Sequence, residues 1–125
     1  MLKLKTKWLS RWAKKNRISD NSLLQAIENL ELNLSSVSLG GGLFKVRVAL
    51  SNSGKSSGFR TLIVYKEKSR AIIVYGFAKN EKENLTSSEL QVFKALSKDI
   101  LKQSTKDLEI AVKHNIFIPI KGDLK

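Results

Sequence analysis

The feature that most constrains the fold is a change of apolar spacing at three consecutive glycines, residues 40–42, which are predicted to end a helical region. After them, apolar residues occupy every second position from Phe44 to Leu50, which is the period of a strand with one buried face. Further strands are predicted over Phe59–Lys66 and Ala71–Phe77. The last of these is apolar almost throughout and is expected to be central. The succession of strand, turn and strand predicts an antiparallel meander.

Before the glycines the apolar spacing is helical. Trp8 and Trp12 belong to one apolar stripe, so both are predicted to anchor a first helix in the core instead of offering surfaces for base stacking. Ser19 and Asp20 are good N-cap residues and predict the start of a second helix, which would form a hairpin with the first. Leucines and lysines alternate over residues 2–5, the pattern of a short edge strand whose lysines face solvent.

The segment after the predicted strands is helical again. Thr86 and Glu89 have the spacing of a capping box, and a further helix is predicted over Thr105–Lys113. Residues 116–118 are apolar, and Pro119 would confine them to an edge strand. The predicted fold class is therefore α+β, with a small antiparallel-rich sheet, an N-terminal helical hairpin on one face and C-terminal helices.

Composition limits the chemistry that the chain can perform. Its 125 residues suit one domain, residues 1–125. The absence of Cys excludes thiol nucleophiles and Cys/His zinc sites, and the single His, His114, is too distant in sequence from other candidates to be expected as a catalytic base. There is no signal peptide pattern and no apolar run long enough to cross a bilayer. We therefore expect a cytoplasmic protein without a membrane partner.

Positive charge is concentrated in two segments. Lys and Arg number 23 against 11 Asp and Glu, a formal net charge of +12. Residues 1–19 hold seven basic and no acidic residues, and residues 43–80 hold eight basic and one acidic. Clustered Lys and Arg bind nucleic acid by neutralising phosphates and releasing counterions. The expected partner is therefore nucleic acid, although an anionic membrane or an acidic protein would also satisfy the charge.

Strand periodicity brings part of this charge onto one predicted sheet face. Lys45 and Arg47 fall opposite the apolar side of their strand, and Arg60 opens the neighbouring antiparallel strand. The loop and the third strand add further side chains near this face, namely Lys55, Tyr75 and Lys79. A cationic sheet surface with an aromatic side chain nearby suits an RNA backbone and a stacked base. The alternative interpretation is that these residues have no binding role and are ordinary solvated strand positions.

Three blocks of sequence resemble the RelE/HigB-type toxins of bacterial type II toxin–antitoxin modules, in particular a HigB-like branch. The blocks are LGGGLFKVRVA, GKSSGFRTLIVY and IIVYGFAKNEKENL, and the resemblance covers residues 3–103. It implies a small sheet flanked by helices and an endoribonuclease that cleaves messenger RNA, usually on the ribosome, without metal or small-molecule cofactor. It also implies a cognate antitoxin, expected to be a helix-turn-helix protein, that holds the toxin inactive.

The resemblance also implies roles for individual residues. Lys45 and Arg47 match an alternating basic pair at the scissile phosphate, and Arg60 matches an arginine that stabilises this phosphate. The chain departs from the family at two places, because Asn80 replaces a second catalytic arginine and Leu85 falls where a stacking tyrosine is expected. Candidates for the missing proton donor are Lys55, Lys79 and Tyr75. The expected substrate-binding residues are Lys66, Tyr75 and Asn80.

The reaction expected from this resemblance is attack of the RNA 2′-hydroxyl on the adjacent phosphate. Arg47 and Arg60 would stabilise the added negative charge, since their planar guanidinium groups match phosphate oxygens. Lys45 or Lys55 would serve as the base only where neighbouring cations favour the neutral amine. Two alternatives are a non-catalytic nucleic-acid- or ribosome-binding basic protein and a ParE-like gyrase poison. Retention of Lys45, Arg47 and Arg60 argues against the gyrase poison.

Overall fold

The computed structural model describes residues 1–48, 58–82 and 84–122. The elements follow the chain in the order β1 (Leu2–Thr6), α1 (Lys7–Lys15), α2 (Asp20–Glu31), β2 (Ser36–Gly40), β3 (Leu43–Val48), β4 (Phe59–Lys66), β5 (Arg70–Ala78), α3 (Ser87–Lys102), α4 (Thr105–Lys113) and β6 (Phe117–Pro119). The fold class is α+β, as predicted, with helices at both ends of the chain and a mixed, mostly antiparallel sheet between them.

The six strands form one sheet in the order β2-β3-β4-β5-β1-β6. Strands β2 to β5 are antiparallel neighbours, β1 is parallel to β5, and β6 is antiparallel to β1. The predicted meander is thus confirmed as β3-β4-β5, and β5 lies in the interior of the sheet as predicted. Pro119 ends β6, which is an edge strand as predicted.

Helices α1 and α2 cover one face of the sheet, called here the first face. The side chains of Thr6 and Ser19 cap these helices by accepting hydrogen bonds from backbone N–H groups. Their apolar stripes pack against alternating residues of β3, β4 and β5, in a core that includes Leu9, Ala13, Leu23, Ile27, Leu30, Val46, Val48, Ile63 and Ile73. The predicted alternation of β3 is therefore confirmed, with Phe44, Val46 and Val48 directed to this face.

Helices α3 and α4 cover part of the opposite, second face. Their core partners include Leu4, Leu43, Leu62, Val64, Ile72, Ile100, Leu108 and Phe117. The predicted capping box is present, because the Thr86 side chain accepts from the Glu89 N–H and the Glu89 carboxylate accepts from the Thr86 N–H. The helix predicted over Thr105–Lys113 is also present, with Ser104 as its N-cap.

The prediction that β1 is an edge strand with solvent-facing lysines is wrong. β1 is paired on both sides, with β5 and β6, and Lys5 is buried. Its ammonium group donates to Asp20 Oδ1 at 2.7 Å and so compensates the charge that is removed from water. Local alternation could not reveal these strand partners, because they lie near residues 70 and 118 of the chain.

The glycine run does not end a helical region. Helix α2 ends at Glu31, and the strand β2 lies between it and the glycines. Gly40, Gly41 and Gly42 have φ values of +92°, +63° and +79°, a conformation that disfavours residues with a Cβ atom. The three glycines therefore form the tight connection between β2 and β3.

The two tryptophans of α1 differ, and the prediction that both are core anchors holds only for Trp12. Trp12 packs against the first-face core, whereas 41% of the Trp8 surface is exposed. The reason is the sheet geometry: β1 pairs only with the first residues of β5, up to Ile73, while β5 continues to Ala78. Helix α1 begins directly after β1, so its first turn lies beside the uncovered edge of β5.

None of the helices in residues 1–48, 58–82 and 84–122 combines the length and the apolar character that crossing a membrane requires.

Candidate functional site

An open groove of about 260 Å³ lies on the second face, where α3 and α4 do not cover the sheet. Three cationic side chains, those of Lys45, Arg47 and Arg60, line it together with Ser35 and Val37. No acidic side chain lines this groove within the described residues. The structure therefore brings together the three basic residues that strand periodicity placed on one face.

Strand register determines how these cations meet. In the β3–β4 ladder Arg47 is directly opposite Arg60, and Lys45 is opposite Leu62. The Cβ atoms of directly opposed residues are about 4.5–5.5 Å apart, and like charges in such a pair destabilise the sheet. An anion bound between the two guanidinium groups would relieve this repulsion. The arrangement is thus suited to a phosphate group.

Hydrogen bonds orient two of these side chains. The Lys45 ammonium donates to Asn84 Oδ1 at 3.0 Å, and Nη1 of Arg60 donates to the carbonyl of Phe59 at 3.3 Å. The Arg47 backbone N–H donates to the Ser35 carbonyl at 3.2 Å and so joins β3 to the segment before β2. Sequence reasoning missed Asn84 because it lies 39 residues from Lys45 and no local pattern connects them.

Lys79 follows the end of β5 and lies beside Arg60. Its backbone N–H donates to the Gly58 carbonyl at 2.6 Å. A Cβ atom added at Gly58 would be 3.2 Å from Lys79 Cδ and 3.5 Å from Arg60 Nη1. Glycine at position 58 therefore allows the Lys79 side chain, just after β5, and the Arg60 guanidinium, on β4, to lie close to the same backbone position.

A bulge in β5 brings aromatic rings to the same face. Ile63 pairs with Ile73 but Leu62 pairs with Tyr75, so β5 has one extra residue between these pairs. Side chains alternate along a strand, and the extra residue moves Tyr75 and Phe77 to the face of Arg60, which pairs with Phe77. Tyr75 is half-buried. Its ring stacks on that of Trp8, with the centroids 4.7 Å apart, and makes a tilted contact with the Phe93 ring at 4.8 Å.

Lys82 lies over these rings. Its ammonium nitrogen is 5.8 Å from the Tyr75 centroid and 6.0 Å from the Phe77 centroid, within the range of a cation–π interaction. It also donates to Glu89 Oε2 at 2.5 Å. This hydrogen bond raises the pKa of Lys82. The same bond, followed in size by the hydrogen bond from the Thr86 backbone, lowers the pKa of Glu89. Both groups are consequently charged at neutral pH.

The remaining residues considered from the sequence do not line the groove among the described residues. Lys66 is exposed at the opposite end of β4 from Arg60, about 20 Å away at the usual rise of a strand. Asn80 is exposed in the turn after β5. Lys55 lies outside the described residues. His114 is the exposed C-cap of α4, and within the described residues no group of three or more His, Cys, Asp or Glu side chains could hold a metal ion.

The fold and the groove define a class of protein: a basic α+β domain with an open cationic groove on one face of its sheet. A family model described as RelE toxin of RelE / RelB toxin-antitoxin system matches residues 1–120. The chain therefore belongs to the RelE toxin family. Toxins of this family are typically ribosome-dependent messenger-RNA endoribonucleases, so membership implies this activity in general. No curated protein sequence matches the chain.

Proposed function

We propose that this protein is a HigB-like toxin, acting as one domain over residues 1–125, that cleaves messenger RNA on the ribosome by metal-independent attack of the 2′-hydroxyl. One observation carries the proposal: Arg47 directly opposes Arg60 in an open groove that Lys45 also lines, in a chain of the RelE family. The three sequence blocks, two of which contain these residues, support the HigB-like assignment.

The proposed reaction forms a bond between the 2′ oxygen and phosphorus and breaks the bond between phosphorus and the 5′ oxygen of the next nucleotide. The products are a 2′,3′-cyclic phosphate and a 5′-hydroxyl. One proton leaves the attacking hydroxyl, one is delivered to the departing oxygen, and negative charge accumulates on the phosphate oxygens between these events. The protein must therefore transfer two protons and stabilise the phosphate.

Arginine is suited to the stabilising role, because its fixed fork of N–H donors can bind two phosphate oxygens at once. We assign this role to Arg47 and Arg60, which face each other across β3 and β4. Lys45 and Lys79 flank the pair, one held by Asn84 and the other beside Gly58, and we assign them to proton transfer. Lys55 stays a candidate for the same task.

The residues proposed to bind substrate lie at increasing distances from the arginine pair. Tyr75 is on the neighbouring strand, and Asn80 follows Lys79 in the turn. Lys66 is at the far end of β4, so its proposed contact is with RNA backbone remote from the scissile phosphate. Its contribution to cleavage should therefore be smaller than that of Arg60.

The proposed partners follow from charge. Messenger RNA and the ribosome present phosphates to the groove, and the cognate antitoxin, proposed to be a helix-turn-helix protein, would present an acidic segment to the same residues of β3 and β4. Opposite charges across an interface increase both specificity and the association rate. The antitoxin and the RNA would thus compete for one surface.

Induced expression tests the proposal. We expect wild-type protein to arrest growth and to leave messenger RNA fragments with 2′,3′-cyclic phosphate ends, whereas Arg60→Ala should do neither. Lys106→Ala is the matched control, because it removes an exposed cation from α4, the helix that packs beside the edge strand β6. Growth arrest without messenger RNA cleavage would contradict the proposal and would favour a gyrase poison.

A further inference from the structure

Trp8 occupies an unusual position for a tryptophan. It belongs to neither core cluster and is 41% exposed, yet its ring is in contact with two other aromatic rings. The Tyr75 ring stacks on it at 4.7 Å with an interplanar angle of 23°, and the Trp12 ring lies nearly parallel at 6.2 Å and 11°. The result is a row of three roughly parallel rings at the surface.

The row borders a second groove of about 230 Å³, which Trp8, Trp12, Tyr75, Phe77 and Lys82 help to line. Glu81 also borders the groove, which has aromatic walls with the Lys82 ammonium group above them. These are the features by which proteins hold the bases of single strands, since every base has a π-face that can stack.

Glycine at position 76 makes this arrangement possible. A Cβ atom there would lie 2.3 Å from Cζ3 of Trp12, so the ring can lie flat on β5 only because no side chain intervenes. The Phe59 ring supports Trp12 from the side in an edge-on contact at 5.6 Å. The platform is therefore fixed by close packing against the strand.

The two grooves adjoin each other. Phe77 borders the aromatic groove and is the cross-strand partner of Arg60, which lines the basic groove. Neighbouring strands are about 4.8 Å apart, so a chain whose phosphate lies between β3 and β4 has a base within reach of β5 and α1. On the other side of the tryptophan pair, Arg11 and Lys15 line a further hollow and add positive charge.

We infer that Trp8, with Tyr75 and Trp12, forms a nucleobase-stacking subsite that binds a base of single-stranded RNA while the adjoining phosphates occupy the basic groove. The inference deepens the proposed function and rests on it. It assigns to Trp8 a contact with substrate that supplies affinity through base stacking, whereas the basic groove supplies affinity through charge.

The test compares two probes with equal numbers of phosphates: a single-stranded 2′-O-methyl hexanucleotide, which the 2′-hydroxyl reaction cannot cleave, and its abasic analogue. Stacking of one base typically changes affinity by about 5- to 100-fold. We expect wild-type protein to prefer the base-containing probe by such a factor, and Trp8→Ala to lose most of this preference while it binds the abasic probe as before. Trp8→Phe should retain part of it.

Two variants serve as controls. Arg60→Ala should weaken binding of both probes and keep their ratio. Ile116→Ala removes another exposed apolar side chain, 57% exposed and outside both grooves, and should change neither affinity. If Trp8→Ala does not fold, the tryptophan fluorescence of the wild-type protein tests the same inference. The base-containing probe should quench this fluorescence and the abasic probe should not, and equal quenching by both probes would contradict base stacking.

An unchanged base preference in Trp8→Ala, or no base preference in the wild type, would overturn the inference. The second result would indicate that the exposed rings contact a protein partner, such as the antitoxin, instead of RNA. The proposed function fails separately. If wild-type protein shows the Trp8-dependent preference but produces no messenger RNA fragments in cells, the subsite stands and the catalytic proposal falls.

Discussion

Two arginines on the second face of the sheet differ in their environment: one is buried beneath a helix and the other lines an open groove. Arg70, at the start of β5, is 3% exposed, and its Nη1 donates to the carbonyls of Ile100 and Gln103 at the end of α3. Arg60, near the start of β4, is half-buried and lines the open groove, and its Nη1 donates to the carbonyl of the preceding residue, Phe59.

The difference shows how one sheet face serves two purposes. Where α3 covers the sheet, the guanidinium of Arg70 donates to two carbonyls at the end of this helix, and its positive charge complements the helix dipole. Where the helices do not cover the sheet, Arg60 lies directly opposite Arg47, so two positive side chains are close together in the open groove. An arginine on the covered part therefore stabilises the fold, and we attribute function to the arginine on the open part.

The largest expected effect is on activity, at the open part. Arg60→Ala should lower the rate of messenger RNA cleavage about 10²–10³-fold, by analogy with removal of one donor to a charged transition state. Arg60→Lys should recover little, because an ammonium group cannot bind two phosphate oxygens in a fixed plane. The measurement is cleavage in cells at matched protein levels, and full activity of Arg60→Ala would remove this residue from the mechanism.

The next effect is on stability, at the covered part. Arg70→Ala should lower the free energy of unfolding by about 2–4 kcal/mol, because two carbonyls at the end of α3, one of them buried, lose a charged donor. Chemical denaturation measures this change, with Lys106→Ala as the control. A loss below about 0.5 kcal/mol, the size of an ordinary surface substitution, would show that the buried guanidinium is dispensable.

A smaller effect is expected where α3 meets the turn between β2 and β3. The buried Ser97 hydroxyl donates to the Gly41 carbonyl at 2.7 Å. Ser97→Ala should destabilise the protein by about 0.5–1.5 kcal/mol, the net value of a typical hydrogen bond, and should leave cleavage per folded molecule unchanged. A substantial loss of activity in this variant would mean that the covered part takes part in the chemistry.

The smallest expected effect is a pH dependence of local stability in the first turn of α3, at the boundary between the covered and the open part of the sheet. The hydrogen bond to Lys82 lowers the pKa of Glu89, so the stabilisation from this carboxylate is present above its ordinary pKa and is lost as pH falls through the lowered one. We expect amide exchange in the first turn of α3 to increase selectively in acid. Glu89→Gln should show this faster exchange already at neutral pH, and equal exchange in both proteins at neutral pH would contradict the assignment.

The part of the site that strand periodicity could reveal was predicted from the sequence. Lys45 and Arg47 share a face because β3 alternates strictly, and Arg60 faces them because the meander is antiparallel. Their catalytic roles stay predictions. The capped helices α2 and α3 were also predictable, since Ser19 and Thr86 act on backbone groups three residues away.

What could not be predicted depends on long-range pairing. β1 has the local pattern of an edge strand, and only its parallel pairing with β5 makes it internal. That same pairing stops at Ile73 and leaves Trp8 at the surface, although its helical spacing resembles that of a core residue. Asn84 reaches Lys45 through a contact that has no sequence pattern.

The most direct test of the two-part account is a single-turnover measurement of messenger RNA cleavage on purified ribosomes, with Arg60→Ala and Arg70→Ala assayed side by side and normalised to folded protein. The account predicts that Arg70→Ala cleaves at nearly the wild-type rate per folded molecule, while Arg60→Ala is slower by about 10²–10³-fold. Equal rates per folded molecule for the two variants would contradict it.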